Sequence, residues 1–235
     1  MPTFDESMAA IELALGERYG HGRPNSINEG EDSFRAAVTV LLERAVDVKK
    51  AAKGINALAD AGLLDPRALA ESDPAEVVDT LKGAGISLAP ARLVGPLRRL
   101  AAWIVRLQEQ AADPLRDESS FSTGRLRDEL CELSGIGPAS ADAILLFAGG
   151  REVYPIDRPT YRILVRHGWL DPTADYEEAR SVMERPGHDD PGALIRLSGW
   201  FEQVGRDYCK ASVAKCERCP LQAFLPEGGP YEHEP

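Results

Sequence analysis

The chain has 235 residues, enough for one or two domains with a buried core, and its 27 Lys and Arg against 38 Asp and Glu leave a net charge of −11. Hydrophobic residues make up 43% and charged residues 28%, a globular balance that excludes a disordered or collagen-like chain. No uncharged apolar run approaches the ~18 residues of a membrane-spanning helix, and the start, Met1-Pro-Thr-Phe-Asp-Glu-Ser, has neither the basic nor the apolar stretch of a signal peptide.

The expected compartment is therefore the cytoplasm, with no membrane partner. Four cysteines do not make a disulfide scaffold in a chain this long. The acid surplus argues against whole-surface attraction to nucleic acid, because phosphate contacts need local Lys and Arg; a basic stripe on an acidic body remains compatible with it.

In chain order, the pattern predicts helices almost throughout. Phe34 to Leu42 is an apolar run, followed by a charged segment and then Ile55 to Leu64. Asp73-Pro-Ala-Glu76 is a helix start: Asp73 caps, Pro74 suits the first helical position, and Glu76 is placed to close a capping box. That helix stops at Gly83-Ala84-Gly85. Arg92 to Leu107 is amphipathic, with Leu93, Leu97, Leu100, Ile104 and Leu107 three or four apart. Arg125 to Glu132 and Ser140 to Ala148 bracket a glycine-rich turn. Pro159 to His167, Tyr176 to Arg185 and Pro191 to Val204 complete the set, and residues 226–235 read as a loose tail. Short loops and the scarcity of alternating runs give an all-α fold.

The informative segment is Leu130-Cys-Glu-Leu-Ser-Gly-Ile-Gly-Pro-Ala-Ser-Ala-Asp-Ala-Ile-Leu-Leu-Phe-Ala148. Glycines between two helices permit tight turning and close approach by a ligand. Amides at the second helix's start would point at an anion, with the helix dipole behind them. A DNA phosphate is the natural anion. Two glycines alone would equally suit an ordinary helix–helix turn; the whole string is more specific.

This segment resembles the helix-hairpin-helix of the endonuclease III superfamily of DNA glycosylases, and its ADAILL wording is nearest to the branch with the 3-methyladenine glycosylases. In that family the hairpin is followed by an apolar helix, a short loop and an essential Asp. Here that Asp is Asp157, 20 positions after Gly137 (157 − 137), and Asp157-Arg-Pro-Thr-Tyr-Arg162-Ile-Leu matches the family's continuation. The resemblance implies two helical lobes with a cleft between them and the hairpin at its rim. Residues 31–149 would form a six-helix barrel lobe ending in the hairpin motif (124–148). Residues 1–30 and 150–235 would form a second lobe carrying a cysteine loop (209–219). It implies DNA contacts by Leu133, Gly135, Ile136, Gly137 and Ala139, catalysis by Asp157, and a monomer acting on double-stranded DNA that contains a damaged or mispaired base.

The chemistry of Asp157 agrees with that role. Breaking an N-glycosidic bond develops oxocarbenium character, which a neighbouring carboxylate stabilises while orienting water. The plain alternative is that Asp157 only caps the helix that follows, and both roles are compatible. Arg158, Arg162 and Arg166 fall at i, i+4 and i+8 on one face, and Arg92 to Arg106 holds four Arg and no acid. Each is open to a phosphate contact or to an ion pair, and Arg162 is expected to face inward and pair with a carboxylate.

Three departures from the family pattern matter. Where relatives carry a Ser/Thr-Gln pair that fills the space of a flipped base, this chain has Glu43-Arg44. Arg44 could wedge into DNA and meet a phosphate or the orphan base, or the pair could be a salt-bridged helix end. Cys209, Cys216 and Cys219 resemble the start of the family's [4Fe–4S] loop, whose fourth Cys would fall at Leu225. Cys131 is a poor replacement and is expected to be a buried apolar residue; His233 would need a chain reversal. A relic loop, an incomplete or unusually ligated cluster, and a zinc site stay open. Finally, the amine that lets some relatives also nick the strand is a Lys 18 positions before the Asp. The residue here is Ala139, so a monofunctional glycosylase without AP-lyase activity is expected. The alternative is a non-catalytic DNA-binding or structure-sensing module that kept the hairpin.

Overall fold

The computed structural model describes residues 3–21, 27, 30–87, 92–184 and 190–231. Within them the chain forms α1 (Phe4–Tyr19), α2 (Ser33–Ala45), α3 (Val48–Asp60), α4 (Pro66–Glu71), α5 (Pro74–Gly83) and α6 (Val94–Gln108). It continues with α7 (Thr123–Glu132), α8 (Pro138–Phe147), α9 (Arg158–Arg166), α10 (Tyr176–Met183) and α11 (Pro191–Asp207). Two short 3-10 turns follow at Cys216–Arg218 and Gln222–Phe224, and the described residues contain no β-sheet, only one bridge between Cys209 and Ala214. No described helix is long and apolar enough to cross a membrane. The chain divides into two compact units, Ser26–Val153 and Met1–Asn25 with Tyr154–Pro235.

In the unit Ser26–Val153, helix starts follow from capping. Asp32, Asp47, Asp65, Asp73 and Ser122 each accept a hydrogen bond from an amide in the first turn of the helix they precede. At α5 the cap differs from the expected box, since Asp73 accepts from the Ala75 amide rather than from that of Glu76. Helix α6 starts at Val94, so Arg92 lies in the turn before it. Helix α8 is apolar on nearly all sides, and Ala141 to Leu146 are all buried, as an all-round apolar helix requires. It packs against α2, whose residues 36–42 are buried, and against α7.

The segment after α8 is pinned by Arg151, which is fully buried. Its guanidinium donates to the carbonyls of Leu115 at 2.6 Å, Phe121 at 2.9 Å and Pro114 at 3.4 Å. The buried charge is held by fixed dipoles and by Glu118 at 3.9 Å.

In the other unit, Gly205 of α11 lets Pro159 of α9 approach so closely that a Cβ would lie 2.4 Å from the proline ring. That contact fixes the helix carrying Asp157 at its start. Helix α1 buries Phe4, Met8, Ile11 and Leu15. Its first turn is closed by a capping box between Thr3 and Glu6. Phe4 meets Trp169 and Phe201 edge to face, and His167 stacks on Trp169 with centroids 4.6 Å apart.

Candidate DNA interface and active site

The turn between α7 and α8 is closed by Ile136 N–H donating to the Leu133 carbonyl at 2.8 Å. Leu133 caps α7 and is half-buried. Ile136 is 2% exposed, so its side chain anchors the turn and only its backbone faces a ligand. The two glycines have different reasons to be there. Gly135 has φ +91°, and a Cβ would lie 2.5 Å from the Pro96 ring, so the fold itself demands glycine. Gly137 has φ −90°, open to any residue, and a Cβ there would meet nothing within 4 Å. Nothing inside the molecule requires glycine at 137.

Gly137 is the N-cap of α8 and brings no side-chain cap; Pro138 follows with no N–H. The amides of Gly135, Gly137 and Ala139 take no partner among the described residues. They sit at the positive end of a helix dipole, an arrangement suited to an anion. The two helices are clamped by Arg127, which grips the buried Asp142 through Nε–Oδ1 at 2.6 Å and Nη2–Oδ2 at 3.3 Å. Arg44, exposed at the end of α2, donates from Nε to the Ser140 hydroxyl at 3.1 Å, and Glu43 is half-buried. Of the two alternatives left open for Arg44, the salt-bridged helix end is replaced by a neutral contact with the hairpin.

In the other unit, Asp157 is the N-cap of α9, and its Oδ1 accepts from the Thr160 amide at 2.7 Å. It is half-buried on the wall of a pocket of about 470 Å³ shared with Tyr161, Val165, Tyr176 and Ala211. Arg158, Arg162 and Arg166 line the same pocket, as their spacing on one helix face requires. The expected carboxylate partner of Arg162 is replaced by a carbonyl: its Nε donates to Cys209 O at 2.7 Å, and Arg166 Nη1 donates to Lys210 O at 2.7 Å. The Tyr154 phenol is pushed well up, first by burial and then by the Asp157 charge, and stays protonated. Tyr161 and Tyr176 were not among the expected site residues. Tyr161 lies four positions after Asp157, which is the signal for a shared face; Tyr176 accepts from the Ile156 amide at 3.2 Å and is placed only by tertiary structure.

Cys209, Cys216, Cys219 and Leu225 line one small space of about 10 Å³, room for about one water. Arg166 Nη1 lies 3.3 Å from Cys209 Sγ. Burial pushes the Cys216 thiol up and the Cys219 thiol up to about 11. Among the described residues no three His, Cys, Asp or Glu are placed to hold a metal ion. With an aliphatic side chain in the fourth position, these residues do not fit a four-thiolate iron–sulfur cluster. Cys131 is on α7, half-buried rather than buried, and His233 lies outside the described residues.

No protein-family model matches the chain. It is 24% identical over 219 residues to a protein of Methanocaldococcus jannaschii named for the DNA repair glycosylases, covering 93% of this chain and 96% of that one. It is 26% identical over 194 residues to endonuclease III of Thermotoga maritima, covering 81% of each. Among solved structures, a trapped endonuclease III–DNA covalent intermediate aligns with a TM-score of 0.66 at 18% identity, over 97% of this chain and 98% of that one. A Helicobacter pylori 3-methyladenine DNA glycosylase bound to 1,N6-ethenoadenine aligns with a TM-score of 0.60 at 18% identity, over 88% and 98%. The fold is the all-helical fold of endonuclease III. By sequence the chain is similar to proteins named as DNA repair glycosylase and endonuclease III, and by fold to endonuclease III and a 3-methyladenine glycosylase.

Proposed function

We propose that the protein is a DNA base-excision glycosylase of the endonuclease III type. The observation that carries this reading is Asp157, a carboxylate held by the Thr160 amide on the wall of an arginine- and tyrosine-lined pocket. The uncapped hairpin amides grip a phosphate of the damaged strand, and the damaged base leaves the stack before cleavage. As the C1′–N bond breaks, the base departs with the bonding electrons and the Asp157 carboxylate stabilises the cationic sugar. Water, oriented by the same carboxylate, forms the new C1′–O bond and gives up its proton to it. Ala139 stands where a strand-nicking relative would carry its amine, so the product is an intact abasic site and the enzyme is monofunctional.

Base release from a panel of lesion-containing duplexes, wild type against Asp157→Asn, tests the activity. Borohydride trapping on abasic DNA tests monofunctionality: no adduct is expected, and an adduct surviving replacement of Lys49, Lys50 and Lys53 would overturn it. A second reading, a non-catalytic DNA-binding module, is favoured by the cap bond of Asp157, which accounts for that residue without catalysis. Binding without base release on every duplex of the panel would decide for it.

A further inference from the structure

In a chain with a net charge of −11, arginines find acids easily. Arg35 meets Glu31 at 2.8 Å, Arg106 meets Glu129 at 2.7 Å and Arg127 meets Asp142 at 2.6 Å. Other arginines meet backbone carbonyls instead, as Arg98 does at Ala70 and Arg162 at Cys209, and around the hairpin carboxylates are missing as well. Arg44, Arg92 and Arg99 have no carboxylate partner among the described residues. Arg44 contacts Ser140 instead, and Arg99 donates from Nε to the Ser134 carbonyl at 2.8 Å. Arg44 and Arg92 face a hollow of about 250 Å³ between the end of α2, the start of α6 and the hairpin, whose other walls include Leu41, Pro96, Gly135 and Ser140. No acid lines it.

Guanidiniums that line one hollow without a carboxylate partner repel one another unless an anion joins them. Ser140 holds Arg44 by one nitrogen, leaving the outer face of its fork for a bidentate acceptor. The hollow's walls combine Arg44, Arg92 and Ser140 with Leu41 and Pro96, so it suits a group with a charged head and a carbon skeleton.

We propose that this hollow is a second phosphodiester site: Arg44 and Arg92 hold one backbone phosphate of the DNA between them, separate from the phosphate on the hairpin amides. The proposal rests on the DNA-binding reading above and adds residues and a charge count to it. It gives Arg44 a backbone contact rather than a wedge between bases, so its contribution is blind to sequence and lesion.

The test is binding to an undamaged and a lesion-bearing duplex, measured across a salt series for the wild type and Arg44→Gln/Arg92→Gln. One phosphate fewer lowers the slope of log affinity against log salt by about one unit. Affinity near physiological salt falls about ten-fold and equally on both duplexes, and Arg44→Lys/Arg92→Lys restores most of the slope. Arg67→Gln/Lys82→Gln removes the same charge from exposed positions on α4 and α5 and is expected to leave the slope unchanged. If Gly137→Val weakens binding but the Arg44/Arg92 variant keeps the wild-type slope, the hollow is not a phosphate site. Equal losses in the Arg44/Arg92 and Arg67/Lys82 variants would overturn it in favour of net charge. A wild type that binds no DNA would overturn the underlying reading with it.

Discussion

Replacing Gly137 by Val separates a glycine kept for the fold from one kept for a ligand. At φ −90° with open space around the new Cβ, valine adds no clash and no left-handed strain. Losing a tolerable N-cap costs about 1 kcal/mol, and stiffening the unfolded chain returns about 0.4–1 kcal/mol. Stability in urea should therefore stay within about 1 kcal/mol of wild type. The valine methyls would stand over the amides of Gly137 and Ala139, where a phosphate must sit. A hydrogen bond to a charged group is worth about 1.5–3 kcal/mol, so losing one or two weakens DNA binding by one to two decades. The loss should be the same with and without a lesion. Gly137→Ser adds a hydroxyl that can cap α8 and should keep or slightly raise stability while still competing with the phosphate. By contrast, Gly135→Ala puts a Cβ into Pro96 in a left-handed conformation and should cost about 1–3 kcal/mol of stability. Wild-type anisotropy binding by folded Gly137→Val, or a stability loss equal to that of Gly135→Ala, would refute the distinction.

Truncating Arg151 to Ala leaves the carbonyls of Leu115 and Phe121 unpaired in the interior, and a loss of about 3 kcal/mol or more is expected in urea unfolding; a loss under about 1 kcal/mol would contradict its role as a pin. Anaerobically purified protein should carry well under one four-iron cluster per chain by iron and sulfide analysis, and Leu225→Cys should raise that content; near-full loading of the wild type would mean that another ligand completes the site. Burial alone would raise the Glu129 carboxyl, but hydrogen bonds from Trp103 and Arg125 and the Arg106 charge hold it below its ordinary range. A lowered folded-state value stabilises above the ordinary glutamate range and is lost as pH falls through it, so Glu129→Gln should flatten the acid limb of a stability–pH curve. An unchanged limb would remove Glu129 from that account.

The helix starts at Asp73-Pro74 and Asp157-Arg158-Pro159 were legible because a cap and a proline are local signals, while the same signal at Asp65-Pro66, which opens α4, was not among the expected starts. Helix α1 was legible through Thr3 and Glu6 and yet not read. Leu13, 64% exposed, sits off the buried stripe and blurs its period. The hairpin string carried its own turn. What the string did not separate was the fold's claim on Gly135 from the open space at Gly137, since that difference depends on Pro96, some 40 residues earlier. Arg151 looked like one more loop residue because its partners lie at 114–121. The carboxylate expected for Arg162 proved to be the carbonyl of Cys209, which no charge pattern reveals. Tyr176 reaches the Asp157 pocket from a different helix, and the placing of Arg44 and Arg92 on one hollow without a carboxylate is visible only in the folded chain.

The central claim is that Asp157 drives hydrolysis of a glycosidic bond in DNA. The direct measurement is a single-turnover reaction on lesion-bearing duplexes, with free base and alkali-labile sites counted in the same sample for the wild type and Asp157→Asn. The account predicts that the wild type releases base and forms alkali-labile sites in equal amounts on at least one lesion. It predicts that Asp157→Asn binds the duplex as tightly but releases base about 10² to 10⁴ times more slowly. Base release by Asp157→Asn at the wild-type rate would contradict it.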